Sequence, residues 1–249
     1  AGAAGRLDVE RAATLVATFA QLADACQTVQ DVTRGMRPSM LEFMDQVCIN
    51  AVEDETAMEL DRSAAAMLII QSDEPGTHAG TEIDQIRIIC EKNSATEVYA
   101  TDDADEGEAF VQARRIAIPS VERKGAVLLE DVGVPIPQLG DLVLGIDAIA
   151  RGRDVTVAVM AHAGDGNTHP LIVFDPADAE QLERAELAYG EIMDLAIELG
   201  GTITGEHGVG RLKQPWLKDY LSPQALALNQ KIKDALDPQG ILNPGVVFN

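Results

Sequence analysis

Short apolar stretches typical of β-strands alternate with amphipathic helix patterns along the whole chain, and this alternation constrains the fold more than any other feature. The sequence shows no internal repeat and no low-complexity tract. Strands are predicted near residues 15–19, 40–44, 64–70, 97–100, 126–130, 155–161 and 171–174. Helices are predicted near residues 21–34, 45–55, 80–93, 104–116, 138–150, 177–199 and 223–235. We therefore expect helices packed in a layer against a sheet.

The order of elements in the first half, strand–helix–strand followed by strand–helix–strand, is typical of a ferredoxin-like unit. It predicts an α+β fold in which helices cover one face of an antiparallel sheet, with a C-terminal helical segment after it. Asp45 is placed to cap the second helix, and Gly200-Gly201 terminates the helix that ends at residue 199. The alternative is a parallel doubly wound sheet, but no glycine-rich strand-to-helix turn supports it.

The charge and cysteine content narrow the classes of partner and compartment. The chain has 249 residues, of which 41 are acidic and 19 basic, so its formal net charge is −22. Nucleic acids and anionic membranes both bind basic surfaces, so we expect neither as a tight partner. No apolar run reaches the length of a membrane span. The three cysteines are widely spaced without a CxxC motif, which predicts no disulfide framework and a reducing cytoplasm.

Three of the four histidines lie in two short polar segments. The first segment runs from His162 to His169 between two predicted strands, and its Gly-Asp-Gly-Asn centre is typical of a tight hairpin turn. A hairpin brings both strand ends, and therefore both imidazoles, into one neighbourhood. Two neutral imidazoles suit zinc or another borderline divalent ion.

The second segment, residues 201–211, contains the adjacent pair Glu206-His207. With Glu206 as a third ligand, the site would have two histidines, one carboxylate and an open position, which is the catalytic arrangement. His207 would then point to the other side of the backbone and remain free as a general base. The other interpretation is that these histidines are hydrogen-bonded structural residues, and the remaining one, His78, is predicted to be exposed to solvent.

Four stretches together resemble a known family. They are LEFMD at 41–45, HAGDGNTH at 162–169, GEHGVGRLK at 205–213 and DPQGILNPG at 237–245. In this order they resemble the C-terminal, cap-domain half of the flavin-linked 2-hydroxy-acid dehydrogenases of the vanillyl-alcohol-oxidase type. That group includes D-lactate dehydrogenases, glycolate oxidase flavin subunits and D-2-hydroxyglutarate dehydrogenases, and the resemblance covers nearly the entire chain.

The resemblance implies roles for individual residues. His162, His169 and Glu206 correspond to ligands of a divalent metal, usually zinc. His207 corresponds to the base that takes the substrate hydroxyl proton while hydride leaves for the flavin. Arg114 corresponds to the arginine that binds the substrate carboxylate, for which a bidentate guanidinium is suited, with Arg115 as the alternative.

The resemblance also implies a cofactor contact and a substrate class. Asn243 corresponds to a residue near the flavin ring. Relatives that act on a larger dicarboxylate carry polar residues roughly where this chain has Ile118 and Leu129. Because both are apolar here, we expect a smaller 2-hydroxy acid such as lactate or glycolate.

Members of this group carry an FAD-binding domain before the matching region, and nothing in this sequence resembles it. The chain begins Ala-Gly-Ala-Ala-Gly without an initiator Met, so we expect it to be part of a longer flavoenzyme. Residues 1–199 would form the substrate domain, and residues 200–249 would pack on the flavin domain, which holds most of the FAD. The sequence leaves open the electron acceptor and a peripheral membrane association, and an apolar docking face would favour self-association as a homodimer.

Two other functions fit the same residues. In a metal-dependent hydrolase, His162, His169 and Glu206 would activate water while His207 shuttles the proton. In a non-catalytic ferredoxin-like binding or dimerisation module, the histidines would be structural and no metal would bind. Hydrolysis without flavin would identify the first, and tolerance of His207 substitution would identify the second.

Overall fold

A single antiparallel sheet organises the chain in the computed structural model, which describes residues 13–247. The strands are β1 (Ala13–Phe19), β2 (Met40–Asp45), β3 (Ala66–Ser72), β4 (Ala95–Thr101), β5 (Ala126–Leu129), β6 (Val132–Gly133), β7 (Thr156–His162) and β8 (Asn167–Phe174). Within these residues the strand order is β4-β1-β3-β2-β7-β8-β5, and β6 pairs with β8 beside this path. Every one of these pairings is antiparallel.

Helices connect most of these strands, and three of them follow β8. They are α1 (Leu22–Thr33), α2 (Gln46–Thr56), α3 (His78–Lys92), α4 (Ala104–Arg115), α5 (Ala117–Glu122), α6 (Leu139–Arg153), α7 (Ala179–Glu198), α8 (Gln214–Tyr220) and α9 (Pro223–Leu236). A short 3₁₀ turn at Ile136–Gln138 precedes α6. As predicted, Asp45 caps α2, and its side chain accepts a hydrogen bond from the Cys48 backbone N–H. The predicted α+β class with an antiparallel sheet is confirmed.

Helices cover both faces of the sheet, whereas the sequence predicted a layer of helices on one face only. On one face, alternate residues of β1 such as Leu15 and Phe19 pack with α1, α3, α6 and α7. On the other face, Val16 and its neighbours pack with α2 and α5. The reason lies in strands such as β3, where four consecutive apolar residues, 67–70, are buried on alternate sides. A strand that is apolar at every position is typical of burial on both faces.

The elements that sequence analysis missed are short or polar. α4 ends at Arg115, one residue from the predicted end, and the sequence missed the short helix α5 that follows, whose first turn tolerates Pro119. β8 begins at Asn167, earlier than the predicted 171, because Asn167 pairs with His162 and Thr168 pairs with Val132. β6 and α8 are also absent from the prediction.

Across residues 13–247, no helix is both long enough and apolar enough to cross a lipid bilayer. Cys26, Cys48 and Cys90 are free thiols, and all three are buried.

Candidate functional site

The β7–β8 hairpin brings the first two predicted residues together. His162 ends β7 and pairs with Asn167, and His169 is the next residue of β8 that points to the same side. The imidazole centroids are 5.3 Å apart in an edge-on arrangement. The turn depends on Gly166, which has φ +85° and whose Cβ, if present, would lie 2.1 Å from the Val134 carbonyl oxygen. The expected proximity of the two imidazoles is therefore observed.

The segment after α7 carries Glu206 to the same place. It passes alongside β6, where Thr202 forms a bridge with Gly133. The approach is so close that a Cβ on Gly201 would lie 2.1 Å from the Gly133 carbonyl oxygen. Glu206 Oε1 lies 3.6 Å from His162 Nε2, and its Oε2 lies 3.9 Å from His169 Nε2. One ligand atom from each of the three residues lies within 4.8 Å of the others.

His207 is part of the same cluster and does not point away from it. Its ring stacks on that of His169, with centroids 5.1 Å apart and planes inclined by 18°. The residue is exposed to solvent, whereas His169 is buried. Adjacent Glu206 and His207 therefore both reach His169, one at a ring nitrogen and the other at a ring face.

Arg114 reaches this cluster through Glu42, a residue that sequence analysis did not assign to the site. Glu42 on β2 pairs directly with His162 on β7, and its Oε1 lies 2.7 Å from His162 Nδ1. Arg114 Nε donates a 2.7 Å hydrogen bond to Glu42 Oε2, and its Nη2 lies 3.1 Å from His162 Nε2. The alternative, Arg115, is exposed and pairs with Glu108. In the sequence, Glu42 stands out only as an acidic residue with apolar residues on both sides in a predicted strand.

The charges in this group determine the protonation of the imidazoles. Burial raises the pKa of Glu42, but the His162 hydrogen bond and the Arg114 charge outweigh it and hold that pKa below its usual value. The hydrogen bond that Glu42 accepts from His162 Nδ1 raises the pKa of His162. Burial, aided by neighbouring His162, lowers the pKa of His169. His169 is therefore the imidazole more strongly favoured as a neutral ligand.

A second carboxylate missed in the sequence, Asp131, holds the Glu206 segment. Its Oδ2 accepts hydrogen bonds from the Thr204 hydroxyl and from the backbone N–H groups of Gly205, Glu206 and His207, all at 2.8–2.9 Å. Burial raises the pKa of Asp131, but these donors outweigh it and leave the pKa below its usual value. The sequence offered only an acidic pair, Glu130-Asp131, between apolar residues.

Two other residues considered in the sequence lie outside the cluster. Asn243 sits in an exposed turn with φ +48°. Among residues 13–247, no hydrogen bond joins its side chain to the cluster. His78 begins α3 and is exposed, as predicted.

Comparison with known families identifies the chain. The family described as FAD linked oxidases, C-terminal domain, matches residues 9–247. The chain belongs to this family, in agreement with the resemblance found in the sequence.

Curated relatives give the same result. The chain is 39% identical over 237 residues to the glycolate oxidase subunit GlcD of Bacillus subtilis, covering 94% of this chain and 50% of the relative. It is 34% identical to the GlcD subunit of Escherichia coli K12, with 94% and 47% coverage. It is 29% identical to a mitochondrial D-lactate dehydrogenase [cytochrome] of Arabidopsis thaliana, with 92% and 41% coverage. The chain thus spans about half the length of these relatives.

Solved structures share the fold at low sequence identity. p-Cresol methylhydroxylase with substrate bound superposes with a TM-score of 0.68 at 13% identity, over 94% of this chain and 52% of that one. Alkyldihydroxyacetonephosphate synthase gives a TM-score of 0.56 at 14% identity, over 94% and 44%. These likenesses establish the fold of the chain.

The Glu42 contact makes a prediction about His162. Glu42→Gln removes the negative charge beside Nδ1, so we expect the pKa of His162 to fall and its protonation midpoint to move to lower pH. The measurement is an NMR pH titration of the metal-free chain. Glu108→Gln is the matched control, since Glu108 also pairs with an arginine of α4 but lies away from His162. An unchanged His162 midpoint in Glu42→Gln would contradict the assigned role of Glu42.

Proposed function

We propose that this chain is the substrate- and metal-binding half of an FAD-dependent enzyme that oxidises a small D-2-hydroxy acid to the 2-oxo acid. The observation that carries the proposal is the meeting of Arg114 with His162, His169, Glu206 and His207 in one cluster. A guanidinium, a metal-type donor set and an exposed imidazole are the groups needed to bind and deprotonate a hydroxy acid. The glycolate oxidase and D-lactate dehydrogenase relatives support the substrate class.

The donor set of His162, His169 and Glu206 fits a divalent metal. Two imidazoles and a carboxylate, with one ligand atom each inside a 4.8 Å group, match the donors of a catalytic zinc site with an open position. The exposure of the Glu206 side chain, 55%, leaves that position accessible to a ligand. When bound, the metal supplies a Lewis acid for the substrate oxygens.

Arg114 is placed to bind the substrate carboxylate. Its Nε donates a hydrogen bond to Glu42, and this contact fixes the plane of the guanidinium. Its Nη2 lies 3.1 Å from His162 Nε2, and the two terminal nitrogens together can donate the paired hydrogen bonds that a carboxylate accepts. The side chain is only 16% exposed, so the contact would form in a partly desolvated place where a charge pair is stronger.

His207 is placed to take the proton of the substrate hydroxyl. Its backbone is held by Asp131, and its ring is stacked on His169, so the imidazole has a fixed position beside the proposed metal ligands. FAD, when bound, supplies the acceptor for the hydride that leaves the carbinol carbon. The exposed turn at Asn243 can contact a cofactor held by another domain.

Two apolar residues, at positions where the family resemblance implies polar residues in relatives that act on a dicarboxylate, favour a small substrate. Ile118 on α5 and Leu129 on β5 are partly buried and pack against the core that contains α2 and α5. An apolar side chain there offers no partner to a second carboxylate, whose desolvation would then be costly. We therefore assign the substrate to the lactate and glycolate class.

The flavin-binding half would dock on the C-terminal segment, residues 200–249. None of the side chains of α9 is buried. Leu228, Ile232 and Leu236 recur at intervals of four residues on this helix and are 59%, 51% and 77% exposed. Ile241 and Leu242, which follow, are also exposed. A continuous apolar stripe of this kind is typical of an interaction surface. Because the chain matches about half the length of its relatives, we propose that the flavin-binding half covers this stripe.

The activity test is anaerobic reduction of the flavin in the complete flavoprotein by D-lactate and by glycolate. His207→Asn should slow flavin reduction by about 100-fold or more, because general-base catalysis contributes at least that much. The readout is the loss of the oxidised-flavin absorbance after rapid mixing.

His78→Asn is the matched control, because His78 lies at the start of α3, outside the cluster, and should reduce flavin at the parent rate. An unchanged rate in His207→Asn would contradict the assignment of the base. Ester or amide hydrolysis without flavin, lost in the same variant, would support a metal-dependent hydrolase instead. Absence of both activities in the parent protein would favour a non-catalytic module.

The docking proposal predicts the effect of charges on α9. Leu228→Glu with Ile232→Glu should weaken association of this chain with the separately produced flavin-binding half, since each buries an unpaired carboxylate in the interface. Leu187→Glu on α7 is the control, because Leu187 is also exposed, at 46%, but lies outside the stripe. Sedimentation of the mixed halves measures the association. Equal association of all three proteins would place the interface elsewhere.

A further inference from the structure

Asp131 and His169 are buried side by side, and within residues 13–247 each has one side-chain atom without a hydrogen-bond partner that faces the other residue. Asp131 and His169 are 0% and 3% exposed. Asp131 Oδ1 and His169 Nδ1 each lack a hydrogen-bond partner among the described residues, and they are 3.9 Å apart. Buried polar atoms are rarely left unpaired, and a shift of about 1 Å would bring these two within hydrogen-bond distance.

The other oxygen of Asp131 is fully used. Oδ2 accepts four hydrogen bonds from residues 204–207, three of them from successive backbone N–H groups. Lys213, itself buried, donates a 2.8 Å hydrogen bond from Nζ to the Asp131 carbonyl oxygen. This contact fixes the backbone of Asp131. The carboxylate therefore has a fixed orientation, with Oδ1 directed at His169.

The two nitrogens of His169 face different groups. Nε2 lies 3.9 Å from Glu206 Oε2 in the proposed metal site, and Nδ1 lies on the Asp131 side. A histidine that ligates through Nε2 must carry its proton on Nδ1, and a carboxylate acceptor at Nδ1 selects that tautomer.

We propose that Asp131 is the positioning residue of this site, with one carboxylate oxygen fixing the Glu206–His207 segment and the other selecting the His169 tautomer that exposes Nε2. The inference rests on the proposed function, because it concerns the same cluster. Asp131 thereby connects His169, in the β7–β8 hairpin, with the Glu206–His207 segment that follows α7.

A second interpretation uses the same atoms differently. Ligand atoms of Asp131, His169 and His207 also lie within 4.8 Å of one another, so a cation could bind at Nδ1. In that case zinc would perturb Nδ1 and not Nε2. The position of the ring proton therefore distinguishes a hydrogen bond from a second cation site.

The test uses Asp131→Asn in the full chain, with ¹⁵N NMR of His169 and competition of zinc with a chelator. In the Asn variant the amide oxygen can keep the N–H groups of the segment, and the NH₂ group then faces His169 Nδ1. We expect the proton of His169 to move from Nδ1 to Nε2 and zinc affinity to fall about 10- to 100-fold. Asp165→Asn, in the β7–β8 turn, is the matched control and should change neither, because Asp165 bonds to the Asn167 N–H of its own turn.

Each outcome decides the proposal. The wild-type chain alone must carry the proton on Nδ1, so an Nε2 proton there overturns it even if Asp131→Asn does not fold. A variant that loses only stability, with the parent tautomer and zinc affinity, also overturns it, as does a zinc-induced shift at Nδ1. If the wild-type chain binds no zinc but shows the Nδ1 proton and its reversal in the variant, the metal part of the proposed function fails and the role of Asp131 stands.

Discussion

The register of β7 between β2 and β8 is the constraint on which the site depends. Glu42 lies opposite His162, and Met160 opposite His169, so the two pairings place Glu42, His162 and His169 on one face of the sheet. A slip of one residue would send the Glu42 carboxylate into the core that Leu41 and Phe43 occupy on the other face. Burying that carboxylate without Arg114 would cost far more than any gain in pairing, so the apolar strands on both sides enforce the register.

Compensation of buried charge explains how a chain with a net charge of −22 builds this cluster. Glu42 is balanced by Arg114 and His162, and Asp131 by three backbone N–H groups and a hydroxyl. Both carboxylates are thus held in place by the protein, while the exposed side chains of Glu206 and His207 remain available to a ligand. This division separates the groups that hold the site from the groups proposed to perform its chemistry.

Sequence reasoning predicted the parts of this arrangement that are local. The antiparallel α+β fold, the approach of His162 to His169 across their hairpin and the Asp45 cap all follow from patterns within a few residues. Glu42 and Asp131 could not be found this way, because their partners lie 72 to 120 residues along the chain. Helix α2 was predicted, but its place on the second face of the sheet was not, although the uninterrupted apolar run of β3 is typical of a strand buried on both faces. The role of Asn243 cannot be judged from residues 13–247, because its proposed contact is with a cofactor held by another domain.

The most direct test of the proposed site is the position of zinc in crystals of the full chain, located by its anomalous scattering. We expect a peak about 2.0–2.2 Å from a nitrogen of His162, a nitrogen of His169 and an oxygen of Glu206, with Arg114 displaced from His162 Nε2. A peak between Asp131 and His207, or zinc bound away from both groups, would contradict the central claim that the hairpin histidines and Glu206 form one metal-binding substrate site.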